Sequence, residues 1–203
     1  MHGSSAAELA DMLESVRSGG DDKFGDLSTT HPEISKGLEV QGVHLLNGRT
    51  GVEWDDATIL FMALRATADD GSPAEPLDRG VSRDRLGRFP SADGNAITYL
   101  REHLIPETKG DQGSQLLTQL DAGLRKEIRG HDHLSVGFGG MVLHGWLTAP
   151  EVANLRTYLQ QSAWKVAQNE PFDGGIRDVV RHLLIILKTA EKRGTGILMR
   201  AHN

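Results

Sequence analysis

DGGIRDVVRHLLIILKTAEKRG, residues 173–194, decides the fold class. Ile176, Val179, Val180, Leu183, Leu184 and Leu187 recur at the three- and four-residue spacing that lines one face of an α-helix. Ile185 and Ile186 widen that face, so the middle of the helix is expected to be buried. Gly174-Gly175 precede the run and Gly194 stops it. At 100° per residue, Arg177, Arg181, Lys188 and Lys192 fall within about 60° of one another on another side. That is the pattern of a solvated face, and it also suits a polyanion.

The same period recurs toward the N-terminus. Thr148-Ala149-Pro150-Glu151 is a capping box with a proline in the first turn. It predicts a helix to about Gln168, with Val152, Leu155, Leu159, Ala163 and Val166 on one face. Leu116, Leu117, Leu120, Leu124 and Ile128 predict a helix over 112–129, closed by Gly130. A short helix over 96–104 is capped by Asp93 or Asn95 and ends near Pro106. Asp55 or Asp56 caps another through about Thr67. Ile59, Leu60, Phe61, Met62 and Leu64 make it apolar around most of its circumference, which marks a central element. The first helix runs from Ala6 to about Arg17, with Ser5 and Glu8 as its capping box and Leu9, Met12, Leu13 and Val16 as its stripe.

Two segments read differently. In LEVQGVHLLNGRTGVEW (38–54), Asn47-Gly48 and Gly51 suggest a turn between two short strands, with Ile197–Arg200 as a neighbouring strand. Residues 21–37 read as loop, and residues 69–94 carry three prolines and four glycines with no period. The expectation is therefore mainly α: a single compact domain over 1–203, of five or six helices. A small β element (38–54 and 196–200) and a long loop at 69–94, read as an insertion rather than a linker, complete it.

With 38% hydrophobic and 25% charged residues, a chain of 203 residues can bury a core. The absence of cysteine excludes disulfides, thiolate metal sites and cysteine nucleophiles. The N-terminus lacks the basic start and apolar run of an export signal, and no apolar stretch nears the roughly 18 residues of a membrane span. A cytoplasmic location without membrane attachment is expected. Net charge is −6, unevenly placed: residues 1–78 hold 15 acids and 5 bases, residues 79–203 hold 13 acids and 17 bases.

Four groups of residues are candidates for chemistry. GHDHLSVGFGGMVLHGW (130–146) holds His131, His133 and His144. On an extended segment His131 and His133 would point to one side and could share a zinc or another divalent ion, with His144 as a third ligand. Around helix ends, imidazoles also suit the negative pole of the preceding helix. In the same stretch, Gly137-Phe138-Gly139-Gly140 lacks the lysine and following serine or threonine of a phosphate loop, even if Met141–Trp146 were the helix it leads into; tight backbone packing is the plainer reading. Glu53 and Asp55, with Asp56, flank Trp54 and could do acid–base work, though aspartates at a helix start are ordinary caps. Arg79, Arg83, Arg85 and Arg88 stand within ten positions of the 69–94 loop, and guanidinium groups grip carboxylate and phosphate in bidentate fashion.

No cofactor motif is present, so the favoured expectation is a non-enzymatic macromolecular interaction module. It would use the four arginines as anchors, with another protein as partner and a phosphate-bearing ligand or nucleic acid as the alternatives. Whether the chain is an enzyme stays open. The alternative is a metal-assisted hydrolase or phosphotransfer enzyme, with His131, His133 and His144 holding the ion and Glu53 or Asp55 as base.

Overall fold

The structure is a computed structural model that describes residues 3–65, 74–75, 80–89, 94–108, 110–161 and 164–202. The chain begins with α1 (Gly3–Arg17), a 3-10 turn at Phe24–Asp26, α2 (Leu27–Thr30) and α3 (Pro32–Glu39). Further 3-10 turns at Leu45–Asn47 and Arg49–Gly51 lead to α4 (Asp56–Leu64). Then come α5 (Val81–Gly87), α6 (Ala96–His103), β1 (Leu104–Pro106) and α7 (Gln112–Ala122). Short turns at Asp132–Leu134 and Phe138–Gly140 precede β2 (Met141–Leu147), α8 (Ala149–Gln161), β3 (Trp164–Val166), α9 (Gly175–Lys192) and β4 (Ile197–His202). The protein is mainly helical, but among the described residues it has nine helices, not five or six. The excess comes from α2, α3 and α5, of 4, 8 and 7 residues, each too short to build a readable stripe.

Two compact units emerge: residues 1–75, 124–143 and 200–203, and residues 76–123 and 144–199. In the first, α4 packs against α1, α3 and the 132–134 turn. Phe24, Leu27, Leu38, Ile59, Leu60 and Leu134 are wholly buried there. The expected strands over 38–54 do not form. Val43 and Leu45 are buried as a strand's inner face would be, but the backbone is held by side chains. The Arg49 guanidinium donates to the carbonyls of Val52 (2.9 Å) and Trp54 (2.7 Å) and to Asp56 (2.6 Å). The Arg49 amide donates to Asp22 (2.7 Å). With those groups engaged, the segment coils into turns instead of a ladder. Residues 21–37, expected as loop, hold α2 and most of α3, which Pro32 opens at a first-turn position where its missing N–H costs nothing.

The second unit is built on one continuous apolar cluster. Leu100, Leu117, Leu147, Leu155, Leu159, Ile176, Leu183 and Leu187 belong to it, drawn from α6, α7, α8, α9 and the end of β2. α9 packs on α5, α6 and α8, and α7 on α6 and α8. The capping box is present: the Thr148 amide donates to Glu151 (2.7 Å). α8 stops at Gln161 rather than near 168, because Trp164–Val166 pairs antiparallel with β1, Ile105 opposite Lys165. α7 stops at Ala122 rather than 129. A Cβ on Gly123 or on Gly145 would stand 2.1 Å from the Gln119 carbonyl oxygen, so two backbones touch where side chains would be. Met141–Trp146 is not a helix after the glycine run: it lies in strand β2, which pairs with β4 in a second two-stranded sheet. Part of the 69–94 segment lies outside the described residues, and α5 occupies 81–87 of it. Among the described residues no helix is long and apolar enough to cross a membrane.

Candidate functional site

His131 and His133 do not lie on an extended segment. Gly130 takes a left-handed conformation (φ 76°) and the chain enters the 3-10 turn at Asp132–Leu134. The two imidazoles therefore meet different carboxylates of α1. His131 Nε2 lies 3.6 Å from Asp11 Oδ1, and His133 Nδ1 lies 3.1 Å from Glu14 Oε2. Their ring centroids are 6.1 Å apart. Burial lowers the His131 pKa, against an opposing pull from Asp11 and Glu14. His144 belongs to the second unit, where its Nδ1 donates to the Asp121 carbonyl (3.2 Å). Among the described residues no group of three or more His, Asp or Glu side chains is arranged to hold a metal ion.

Asp55 is the N-cap of α4: it accepts from the Thr58 amide (2.8 Å) and hydroxyl (2.7 Å). Its Oδ2 also accepts from the Phe138 amide (3.0 Å), which fastens the glycine stretch to the start of α4. Asp56 is engaged by Arg49, while Glu53 is exposed. Gly137 is packed tightly, since a Cβ there would meet Met141 Cε at 2.5 Å and Thr58 Oγ1 at 3.0 Å. Gly139 and Gly140 have left-handed φ of 69° and 78°, so this stretch is a tight turn and no helix follows it to cradle a phosphate. The turn presents Phe138 at 84% exposure.

Arg79 lies outside the described residues. Arg83 and Arg85 are exposed on α5, and Arg88, exposed at its C-terminal cap, pairs with Asp84 at 2.9 Å. α5 packs on α9, whose Arg177, Arg181, Lys188 and Lys192 are also exposed. Ser82 Oγ lies 3.2 Å from His182 Nδ1, and His182 Nε2 lies 3.9 Å from Asp178. This Ser–His–Asp line cannot serve as a nucleophilic triad, because Ser82 is wholly buried; it fastens α5 to α9.

Two further networks have no sequence motif. Asp121, buried on α7, accepts from Asn95 Nδ2 (2.7 Å), the Thr98 hydroxyl (3.1 Å) and Arg101, tying α6 to α7. A cleft of about 290 Å³ between those helices is lined by Arg101, Thr98, Ser114 and Thr118. Thr98 and Arg101 are engaged by Asp121, and the Thr118 hydroxyl donates to the Ser114 carbonyl, so most of its polar groups are already partnered. Tyr99 donates to Glu170 (2.5 Å), which also accepts from the Ile176 amide at the start of α9 (2.8 Å). Burial, then the bond to Glu170, raises the Tyr99 pKa, so the phenol stays a donor. No protein-family model, no curated protein and no solved structure matches this chain.

Proposed function

We propose that the chain is a non-enzymatic interaction module whose basic α5–α9 face receives an acidic surface of another protein. One observation carries the reading: exposed Arg83 and Arg85 of α5, with Arg88 at its C-terminal cap, stand on a helix that packs against α9, whose solvent side carries two further arginines and two lysines. Counter-charge on those two helices is sparse. Asp84 engages Arg88, Asp178 engages Arg181 (2.5 Å), and Glu191 engages Arg156. Val81 (53% exposed) and Ile185 (37%) stand among the cations. Arginine mixed with exposed aliphatic groups suits a protein surface, where apolar anchors are desolvated beside bidentate ion pairs. A phosphate backbone offers no partner for the aliphatic groups, and aromatics for base stacking make up only 5% of the chain. Arg79 joins the reading from sequence alone.

The test is binding of a fluorescent poly-glutamate peptide of about 20 residues, compared with single-stranded RNA of equal charge. The expected result is binding to the peptide that weakens with salt and is lost in an Arg83→Ala, Arg85→Ala, Arg88→Ala variant. Tighter binding to RNA, with a steep salt dependence, would transfer the face to nucleic acid. No binding to either polyanion overturns the reading.

A further inference from the structure

We infer that the acidic partner of the α5–α9 face is the first unit of a second copy of this chain, docked through the 135–143 hairpin with Phe138 at its tip. The inference names the partner of that face and so rests on the reading above.

The hairpin lies within the first unit and is closed by backbone bonds. The Leu143 amide donates to the Ser135 carbonyl and the Gly137 amide to the Met141 carbonyl, each at 2.8 Å, and Val136 bridges to Val142. At the tip the Phe138 amide donates to Asp55 Oδ2 and also to Thr58 Oγ1 (3.1 Å). A single exposed apolar side chain is ordinary on a protein surface. Here the backbone is fixed at several points while the ring it presents stays in water: no other Phe, Tyr or Trp among the described residues is as exposed, and Val136 of the same hairpin is 66% exposed. A contact residue held in place beforehand loses little freedom on binding. Acids flank the hairpin. Asp132, whose carbonyl accepts from the Ser135 hydroxyl (2.6 Å), is exposed, and so is Glu53, two residues before the Asp55 that holds Phe138. Arg17 of α1 is gripped by Glu14 through both carboxylate oxygens. The unit as a whole holds 16 acids against 9 bases.

The complement is on α9. Its exposed positions Arg177, Arg181, Ile185, Lys188 and Lys192 fall within an arc of about 80° at 100° per residue, so they form one stripe along the helix. Ile185 stands midway along that stripe, about one turn from Arg181 on one side and from Lys188 on the other. One surface is an aromatic ring flanked by carboxylates, the other an aliphatic side chain flanked by cations. Brought together, Phe138 covers Ile185, its ring face receives a neighbouring guanidinium, and Glu53 and Asp132 meet the arginines and lysines of the stripe. The two surfaces differ, so the contact is heterologous: each copy offers its hairpin to one neighbour and its stripe to another, and copies add head to tail.

The test is sedimentation equilibrium of the full chain between about 5 and about 500 µM, in about 50 and about 500 mM salt. The expected result is a mean mass that climbs to at least that of two chains at low salt and falls back to one at high salt. An excess of the poly-glutamate peptide should dissociate the assembly of the unaltered chain, because both occupy the same face. Phe138→Ser alone, and Arg181→Glu with Lys188→Glu, should each abolish association; all three side chains are exposed. Mixed in equal amounts, the two variants should form a dimer that grows no further, since one intact hairpin then meets one intact stripe. A single-chain mass at every concentration overturns the inference. If that chain still binds the peptide, the α5–α9 face keeps its reading and its partner is a different acidic protein. Association that survives either variant or excess peptide, or variants that stay apart when mixed, also overturns it.

Discussion

The two units solve the same problem by different means. The second holds 12 acids and 13 bases and builds its interior from α6, α7, α8 and α9 around one apolar cluster. The first holds 16 acids and 9 bases and, beyond α1, relies on short helices and 3-10 turns. Its backbone is tied by Asp22, Arg49 and Asp55, and its histidines by the acids of α1. One unit is held mainly by surface area removed from water, the other also by single polar groups aimed at named backbone atoms. The first kind degrades smoothly with lost area, and the second fails at particular atoms.

The sharpest check on the second unit is Leu187→Ala in α9. Leu187 is fully buried in the cluster, so truncation is expected to cost about 2–5 kcal/mol, read from urea denaturation. A loss below about 1 kcal/mol would mean that the cluster is not what holds these helices. The matching check on the first unit is Arg49→Ala, with an expected cost of about 2–3 kcal/mol, because Asp56 and the carbonyls of Val52 and Trp54 lose a charged donor together. Arg49→Lys should recover less than half of it, since an ammonium cannot reproduce the fork that reaches three acceptors. Full recovery by lysine would reduce the tie to a simple ion pair. Asp55→Ala comes next, at about 1–2 kcal/mol for the lost α4 cap. It should also speed exchange of the Phe138 amide, which donates to the same carboxylate. A cap loss that leaves Phe138 exchange unchanged would separate the glycine turn from α4.

This division also explains what could be read in advance. α9 was legible because Ile176, Val179, Leu183 and Leu187 repeat the helical period over 18 residues. The capping box at Thr148 and Glu151 was legible because its chemistry is local. The end of α7 was not: the apolar pattern runs on through Leu124, and the reason to stop is a backbone contact between Gly123 and Gly145, distant in sequence. Residues 38–54 suggest strands because Asn47-Gly48 and Gly51 are turn signals, while the Arg49 bonds that coil the segment leave no pattern in a string of letters. The candidate sites divide likewise. A cap at Asp55 or Asp56 followed from their place before an apolar run, and the structure selects Asp55. The pairing of Asp11 with His131 and of Glu14 with His133 could not follow, because the partners sit more than a hundred residues away and nothing local marks the 3-10 turn that turns the rings toward them.

The smallest expected effect bears most on function. Replacing Arg83, Arg85 and Arg88 together by alanine removes three cations from the second unit but no buried atom contact of the cluster. The ion pair lost among the described residues, Arg88 with Asp84, is 74% and 58% exposed, and a solvent-screened pair at that spacing contributes about 0.3–0.5 kcal/mol. α5 stays anchored through Ser82 and Leu86, which face α9 and the cluster. The denaturation midpoint is therefore expected to move by no more than that amount, partly offset because alanine favours the helix. If instead the variant loses more than about 2 kcal/mol, the arginines are structural members of the second unit. Any accompanying loss of polyanion binding would then report a disturbed α5, and the basic face would have to be tested through Arg177 and Lys188 of α9, whose helix has its own buried stripe to hold it.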